Sequence, residues 1–193
     1  MSVVTDFAAR GFWPRGSNAS FLCLIPKVEN PQQLGEFRPI SLVGCLYKVI
    51  LKLQSMRLKN VISKVIDVRQ SAFLEGMILL DSVLVANEAL VEIKRKKRSC
   101  IFLKVDCEKA YDSISWEFIL YMLKKVGFCD KSVFWIKCCL ESASVSMLVN
   151  GSPTKEFFPK KGFRRGDSLA LFLFLIAGKG LARVLRMAIE KKT

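Results

Sequence analysis

The stretch IFLKVDCEKAYDSISWEF, residues 101–118, drives an apolar strand into a carboxylate, Asp106, and places a second, Asp112, just before a helix-like segment. An ionised carboxylate at the end of a buried strand gives up hydration that something else must replace. From the strand alone, three outcomes are open: Asp106 reaches solvent, caps the following turn, or ligates a metal ion.

Composition narrows the setting for that aspartate. The chain has 193 residues, 51% of them hydrophobic, enough for one real core or for part of a larger one. Lys and Arg number 31 against 17 Asp and Glu, a formal charge of +14 that makes a polyanion the natural partner, with nucleic acid ahead of an anionic membrane surface. Histidine is absent, which removes the commonest general base and the usual zinc ligand. Seven cysteines without a C-x-x-C pair argue against a disulfide framework and a zinc ribbon, and for a reducing compartment. The longest apolar run, LALFLFLIA at 169–177, is far shorter than the ~20 residues of a membrane span, and no signal peptide opens the chain. The expected location is intracellular, in nucleus or cytoplasm, with no membrane partner.

The pattern along the chain predicts one α+β unit. SNASFLCLIPKVENPQQLGEFRPISL reads as a long-looped hairpin with Lys27 and Arg38 on its two arms. Leu46, Ile50, Leu53, Val61 and Val65 recur at helical spacing, with Lys48, Lys52 and Lys59 between them, so residues 46–65 are expected to bury that stripe and expose a basic face. A second helix is expected over 78–95, with Leu80, Leu84 and the Ala86–Leu90 stretch inward. It ends in KRKKR, 94–98, which reads as a solvated helix end, with phosphate contact and nuclear import as the alternatives. Ser115 is placed as N-cap and Gly127 as the stop of a helix built on Trp116, Ile119, Leu120 and Leu123, and Asp130 as cap of the next, running to Leu140. VSMLVNGSPTKEFF forms two strands about Asn150–Gly151, and an apolar helix that becomes basic closes the sequence. GDSL at 166–169 looks like a serine-esterase signature, but no Ser-His-Asp relay can be built without histidine.

Seven stretches resemble, in order and spacing, the reverse transcriptase domain of non-LTR (LINE-type) retrotransposons, plant members in particular: FLCLIPK, FRPISLVGCLYKVILKL, RQSAFLEG, LLDSVLVANEAL, LKVDCEKAYDSISWEFI, VLVNGSPTKEF and KGFRRGDSLALFLFLIA. The resemblance covers about residues 17–190, with a tail at 1–16 upstream. It implies a right-hand polymerase, fingers over about 17–98 and palm over about 99–190, with mixed helices and a small antiparallel palm sheet. It implies RNA template, DNA primer and dNTP as partners and Mg²⁺, or Mn²⁺, as cofactor. By the same resemblance Asp106 is the metal-binding catalytic aspartate, Tyr111 the aromatic that stacks under the incoming sugar and blocks a 2′-hydroxyl, and Asp112 a structural acid of the next helix's first turn. Lys27 and Arg38 become basic finger residues near triphosphate or template. Arg165 and Gly166 stand where the family has the Gln-Gly pair that lies against the nascent base pair.

The departures are as informative. The family's glutamine is Arg165, its two prolines are Ser168 and Leu171, and an arginine that often follows EG is Met77. The aspartates stand at 6, 67, 81, 106, 112, 130 and 167, so no two are adjacent and the hairpin with paired aspartates, motif C, has no counterpart. Two dications ~4 Å apart need more carboxylate oxygens than Asp106 supplies. The expectation is a fingers and partial-palm fragment lacking motif C and thumb, with an incomplete metal site. The rival readings are a noncatalytic basic RNA- or DNA-binding module and an unstable pseudogene product.

Overall fold

The computed structural model describes residues 2–66, 79–101, 109–164 and 166–191. The chain opens with helix α1, Ser2–Arg10, whose Phe7 is buried in the core. Gly11 ends it with φ +67°, and a Cβ there would lie 2.5 Å from the Cys138 sulfur, so only glycine lets the chain turn this close to its neighbour. Trp13 then stacks between Phe7 and Tyr47, at 4.8 and 5.3 Å. The Trp135 indole N–H donates to the Ala8 carbonyl at 3.1 Å. Helix α1 and Trp13 are thus packed onto the core.

Strands β1, Ala19–Pro26, and β2, Phe37–Val43, form the long-looped hairpin the sequence calls for, in the register Leu22↔Ser41 and Leu24↔Pro39. Strands β3, Ser144–Val149, and β4, Ser152–Pro153, flank Asn150 and Gly151, whose φ values of 50° and 80° make the primed turn suited to strand twist. The two hairpins share one sheet of order β2-β1-β3-β4, in which β1 runs parallel to β3. The sheet is therefore mixed, not the antiparallel one expected. Alternation of side chains marks each strand, but the choice of partner depends on how the intervening helices bring β3 alongside β1, which no local pattern records.

Helix α2, Cys45–Val65, forms at the expected place but buries a different stripe. Tyr47, Ile50, Leu51, Gln54, Ser55, Leu58 and Ile62 face the core, whereas Leu46, Leu53 and Val61 are exposed. The buried stripe contains two polar residues, so counting apolar side chains favours the wrong face; Ser55 is accommodated by donating to the Lys52 carbonyl at 2.9 Å. Helix α3, Leu79–Arg95, also exposes what was expected inside: Leu80 and Leu84 are both at least half exposed.

After the short turn α4, Ala110–Ser113, helix α5 spans Trp116–Lys125 and α6 Asp130–Glu141. Ser115 caps α5 by accepting from the Phe118 N–H, and the end is a Schellman closure: Gly127 at φ +94° donates to Lys124 and Phe128 donates to Leu123. Cys129, rather than Asp130, is the N-cap of α6, with Asp130 in its first turn. Helix α7, Ala170–Glu190, crosses the core. Its Leu173, Leu175 and Ile176 are fully buried with Ile119 and Leu123 of α5 and Ile136 and Cys139 of α6. Gly180 lets α5 approach, since a Cβ there would meet Phe118 at 2.8 Å. Lys179 ties α7 to the end of α2 by donating to the Val65 carbonyl. No helix among the described residues is long and apolar enough to cross a membrane.

Leu173 is fully buried in this core, so Leu173→Ala should lower unfolding free energy by about 2–5 kcal/mol in denaturant titration. A loss under about 1 kcal/mol would mean that α7 is not packed as described.

Candidate functional site

The Tyr111 turn is held in place by backbone bonds to a segment fifty residues later in the chain. Lys109 opens α4 in the left-handed region, at φ 49°. Phe163 N–H donates to the Tyr111 carbonyl at 2.7 Å, Gly162 N–H to that of Ile114 at 2.8 Å, and the Trp116 indole to that of Gly162 at 2.7 Å. Gly162 sits at φ +75°, and a Cβ would lie 2.7 Å from the Asp112 carbonyl oxygen. Segments 109–116 and 161–164 are therefore tied together by hydrogen bonds at Tyr111, Ile114 and Trp116. The Tyr111 ring leans on Phe174 of α7 at 5.2 Å. Between these elements lies a cavity of about 410 Å³ walled by Lys109, Tyr111, Asp112, Arg164, Gly166 and Asp167.

Behind its wall lies a polar cluster that the sequence reading did not single out. The Arg164 guanidinium lies 4.0 Å over the Tyr47 ring and donates to the carbonyl and side-chain oxygens of Asn18, at 3.1 and 2.5 Å. Asn18, almost fully buried, passes the bonding on to the Cys139 carbonyl at 3.0 Å and the Ser142 hydroxyl at 2.7 Å. Asp167 accepts from the Leu169 N–H at 2.7 Å and from the Tyr47 hydroxyl at 3.4 Å, and its own carbonyl accepts from Ala170. Burial pushes the Asp167 carboxyl up from its ordinary value near 3.8, against the downward pull of those donors and of Arg164. Burial likewise pushes the Tyr47 hydroxyl well above 10, with Asp167 adding to the effect. The loop that carries Gly166 is thus bolted to the start of β1, to α2 and to α6.

Of the residues singled out from sequence, Tyr111 and Gly166 come together in the cavity, while Asp106 and Arg165 lie outside the described residues. Lys27 and Arg38 share the loop end of the β1–β2 hairpin. Lys27 donates from its ammonium to the Gly35 carbonyl at 2.7 Å, and Arg38 stands opposite Ile25. Neither lines the cavity. Pro39 and Ser41 line an adjoining one of about 260 Å³ with Tyr47, Asp112 and Arg164, so strand alternation puts Arg38 on the other face of the sheet. Among the described residues no group of three or more Asp, Glu, Cys or His could hold a metal ion, and each described cysteine is a free thiol. The missed residues left faint signals: Asp167 precedes an apolar helix in the manner of a cap, and Tyr47 lies i−3 and i−4 from Ile50 and Leu51. Asn18 left none.

A comparison with family profiles finds that the one described as "Reverse transcriptase (RNA-dependent DNA polymerase)" matches residues 25–193. The chain belongs to the reverse transcriptase family. The match starts at the end of β1 and takes in the Tyr111 turn, the Gly166 loop and α7, leaving α1 and Trp13 outside it. Relatives of this reverse transcriptase chain come from non-LTR retroelements. It is 30% identical over 175 residues to the transposon TX1 uncharacterized 149 kDa protein of Xenopus laevis, covering 91% of this chain and 13% of that protein. It is 28% identical over 182 residues to the retrovirus-related Pol polyprotein from the type-2 retrotransposable element R2DM of Drosophila melanogaster, covering 94% and 17%. With the Pol polyprotein from the type-1 retrotransposable element R2 of Popillia japonica it shares 25% identity over 167 residues, covering 86% and 23%. The chain thus spans less than a quarter of the length of these relatives.

The clamp and the buried acid each make a prediction. Gly162→Ala should cost at least about 1–2 kcal/mol from the left-handed backbone alone, with the Asp112 contact added, read as a lower denaturation midpoint. For Asp167, a folded-state value raised above the unfolded one means that its contribution to stability is fully present below about pH 3.8 and is lost as pH rises through the folded value. Asp167→Asn, which keeps an acceptor for Leu169, should therefore gain on the parent protein at pH 7. That gain should disappear below pH 3.8 in parallel denaturation curves; an advantage that persisted there would assign it to another cause.

Proposed function

We propose that this chain supplies fingers, about residues 17–98, and part of the palm, about 99–190, of a polymerase that copies an RNA template by adding dNTPs to a DNA primer 3′-hydroxyl inside the cell. The observation that carries the reading is the coupling of two distant segments: the turn bearing Tyr111, five residues after Asp106, and the Gly166 loop wall the same cavity and are locked by the Phe163–Tyr111 and Gly162–Ile114 bonds. On this reading Tyr111 meets the sugar of the incoming nucleotide and acts as its steric gate. The ring is backed by Phe174 at 5.2 Å, a support that exclusion of a 2′-hydroxyl would draw on. Gly166, at φ +85° with open space where a side chain would stand, lets a base pair approach the backbone, and Arg165 beside it adds a charge there. Lys27 and Arg38, at the hairpin's loop end, serve as cationic contacts to triphosphate or template, the first as a point charge and the second as a fork.

The family reading implies Mg²⁺ or Mn²⁺, which when bound would neutralise charge developing at the transferred phosphate, and assigns Asp106 to it. The described residues by themselves do not fit a two-metal centre. Adjacent aspartates have no counterpart in residues 1–193, so this stretch alone is proposed to bind primer–template without extending it.

Primer extension with the purified chain, in Mg²⁺ or Mn²⁺, checks both parts. The expected result is salt-sensitive binding of an RNA-template duplex and no extended product. Template-directed product that vanishes in Asp106→Ala would show the metal site to be sufficient as it stands, and failure to bind any primer–template would remove the polymerase reading of this stretch.

A further inference from the structure

The basic run at 94–98 straddles the end of α3. Lys94 and Arg95 belong to the last turn of the helix, which closes where the Arg98 N–H donates to the Ile93 carbonyl at 3.1 Å and Lys97 takes the left-handed conformation at φ 48°. From Arg98 to Ile101 the chain is neither helix nor strand and every residue is exposed, Ile101 almost wholly so. Two of the five cations are engaged on the helix itself, since Arg95 and Lys96 pair with Glu92 at 2.9 and 2.7 Å. Among the described residues Lys94, Lys97 and Arg98 are in no ion pair. Ser99 follows directly, with Lys96, Lys97 and Arg98 as the three residues before it. In the whole sequence no other serine or threonine has a cation at both the second and the third position before it. Ser41, Ser55 and Ser168 have one at the third alone; Ser41 is paired in β2 opposite Leu22, and Ser55 is buried.

We propose that Ser99 is the phosphate acceptor for a serine kinase that reads basic residues, and that the phosphate acts as a switch on the charge of the 94–98 run. Such an enzyme takes its substrate as extended chain and recognises the cations before the acceptor with carboxylates of its own. The segment from Arg98 onward is already outside any helix or strand, and extending Lys96 and Lys97 undoes only the closing turn of a helix end, where fraying is ordinary. Lys96 leaves behind an exposed pair with Glu92, of a kind worth little. In the transfer the Ser99 Oγ bonds to the γ-phosphorus of ATP as the bond from that phosphorus to the β,γ-bridging oxygen breaks. ADP departs, and the hydroxyl proton passes to the kinase's catalytic carboxylate. The product places about −1.5 to −2 charges beside Lys97 and Arg98 at pH 7, with the guanidinium suited to hold it as a fork. The α3 macrodipole opposes an anion at this end, and the adjoining cations offset that. The run of five cations then acts as one of about three, and its pull on any polyanion falls. The inference needs only the chemistry of this segment and is independent of the polymerase reading.

The test is incubation of the whole 193-residue chain with MgATP and the catalytic subunit of a cyclic-AMP-dependent protein kinase, an enzyme that selects such cations, followed by peptide mass spectrometry. A single phosphate is expected, on Ser99, and Ser99→Ala should not acquire it. Lys96→Ala/Lys97→Ala should slow its incorporation at least about tenfold, as the loss of charge-assisted contacts to the kinase requires. The phosphorylated chain should leave a heparin column at lower salt than the untreated one. All the changes are at exposed positions, and matching thermal melts by circular dichroism will show that the fold is kept. No phosphate on Ser99, or one on Ser41 or Ser168 in its place, overturns the site. An unchanged rate in Lys96→Ala/Lys97→Ala overturns recognition through the basic run, and heparin elution that does not move overturns the switch.

Discussion

Arg164 is the interaction on which the rest of this structure depends. A guanidinium cannot be carried inward without acceptors, and here it is met by both oxygens of Asn18, the face of Tyr47 and the carboxylate of Asp167 nearby. These partners come from the lead into β1, from α2 and from the loop before α7. One side chain therefore joins three parts of the chain that are far apart in sequence. Removing the Asn18 side chain would take away the acceptor held at 2.5 Å from this half-buried guanidinium.

The geometry that follows is a rigid back wall with an open front. Gly162 and Phe163 fix the Tyr111 turn from behind through backbone bonds, which depend on no side chain except the glycine's absence of one. Phe174 braces the ring from α7, whose first half is anchored in the core by Leu173, Leu175 and Ile176. Precision at such a site comes from the supporting shell more than from the residues that face the ligand. In this chain the shell joins the cavity wall to β1, α2 and α6 through Arg164, Asn18 and Asp167, and Leu171, which stands where a proline was expected, lines the cavity.

How much of this was legible in the sequence depended on how local the determinant was. Turns and caps were readable because their chemistry is self-contained: Asn150–Gly151 requires positive φ twice, and Ser115 and Gly127 bracket α5 as their residue types dictate. The face of α2 was not, because Gln54 and Ser55 are buried and Leu53 is exposed, and an apolar count cannot anticipate a hydroxyl that satisfies itself on its own helix. The parallel junction of β1 and β3 was invisible, since strand alternation says nothing about partners. At the site, Tyr111 and Gly166 were found through family resemblance. Arg164, Asn18, Tyr47 and Asp167 define each other only once folded, and no spacing connects them beforehand.

The parallel pairing of β1 with β3 also sets the order in which this chain can become a protein. Ser20 and Ser144, joined across the two strands, are 124 residues apart. The β1–β2 hairpin can close as soon as it is made, but its inner edge must wait for β3 while the ribosome adds the intervening helices, a delay of seconds at ~5–20 residues per second. Through that interval an apolar strand edge is left unpaired, with Phe21, Ile25, Ile40 and Leu42 on a face where they remain about half exposed in the folded chain. The pairing that completes the sheet thus depends on a strand that waits unpaired, made well before the Tyr111 turn and the Gly166 loop.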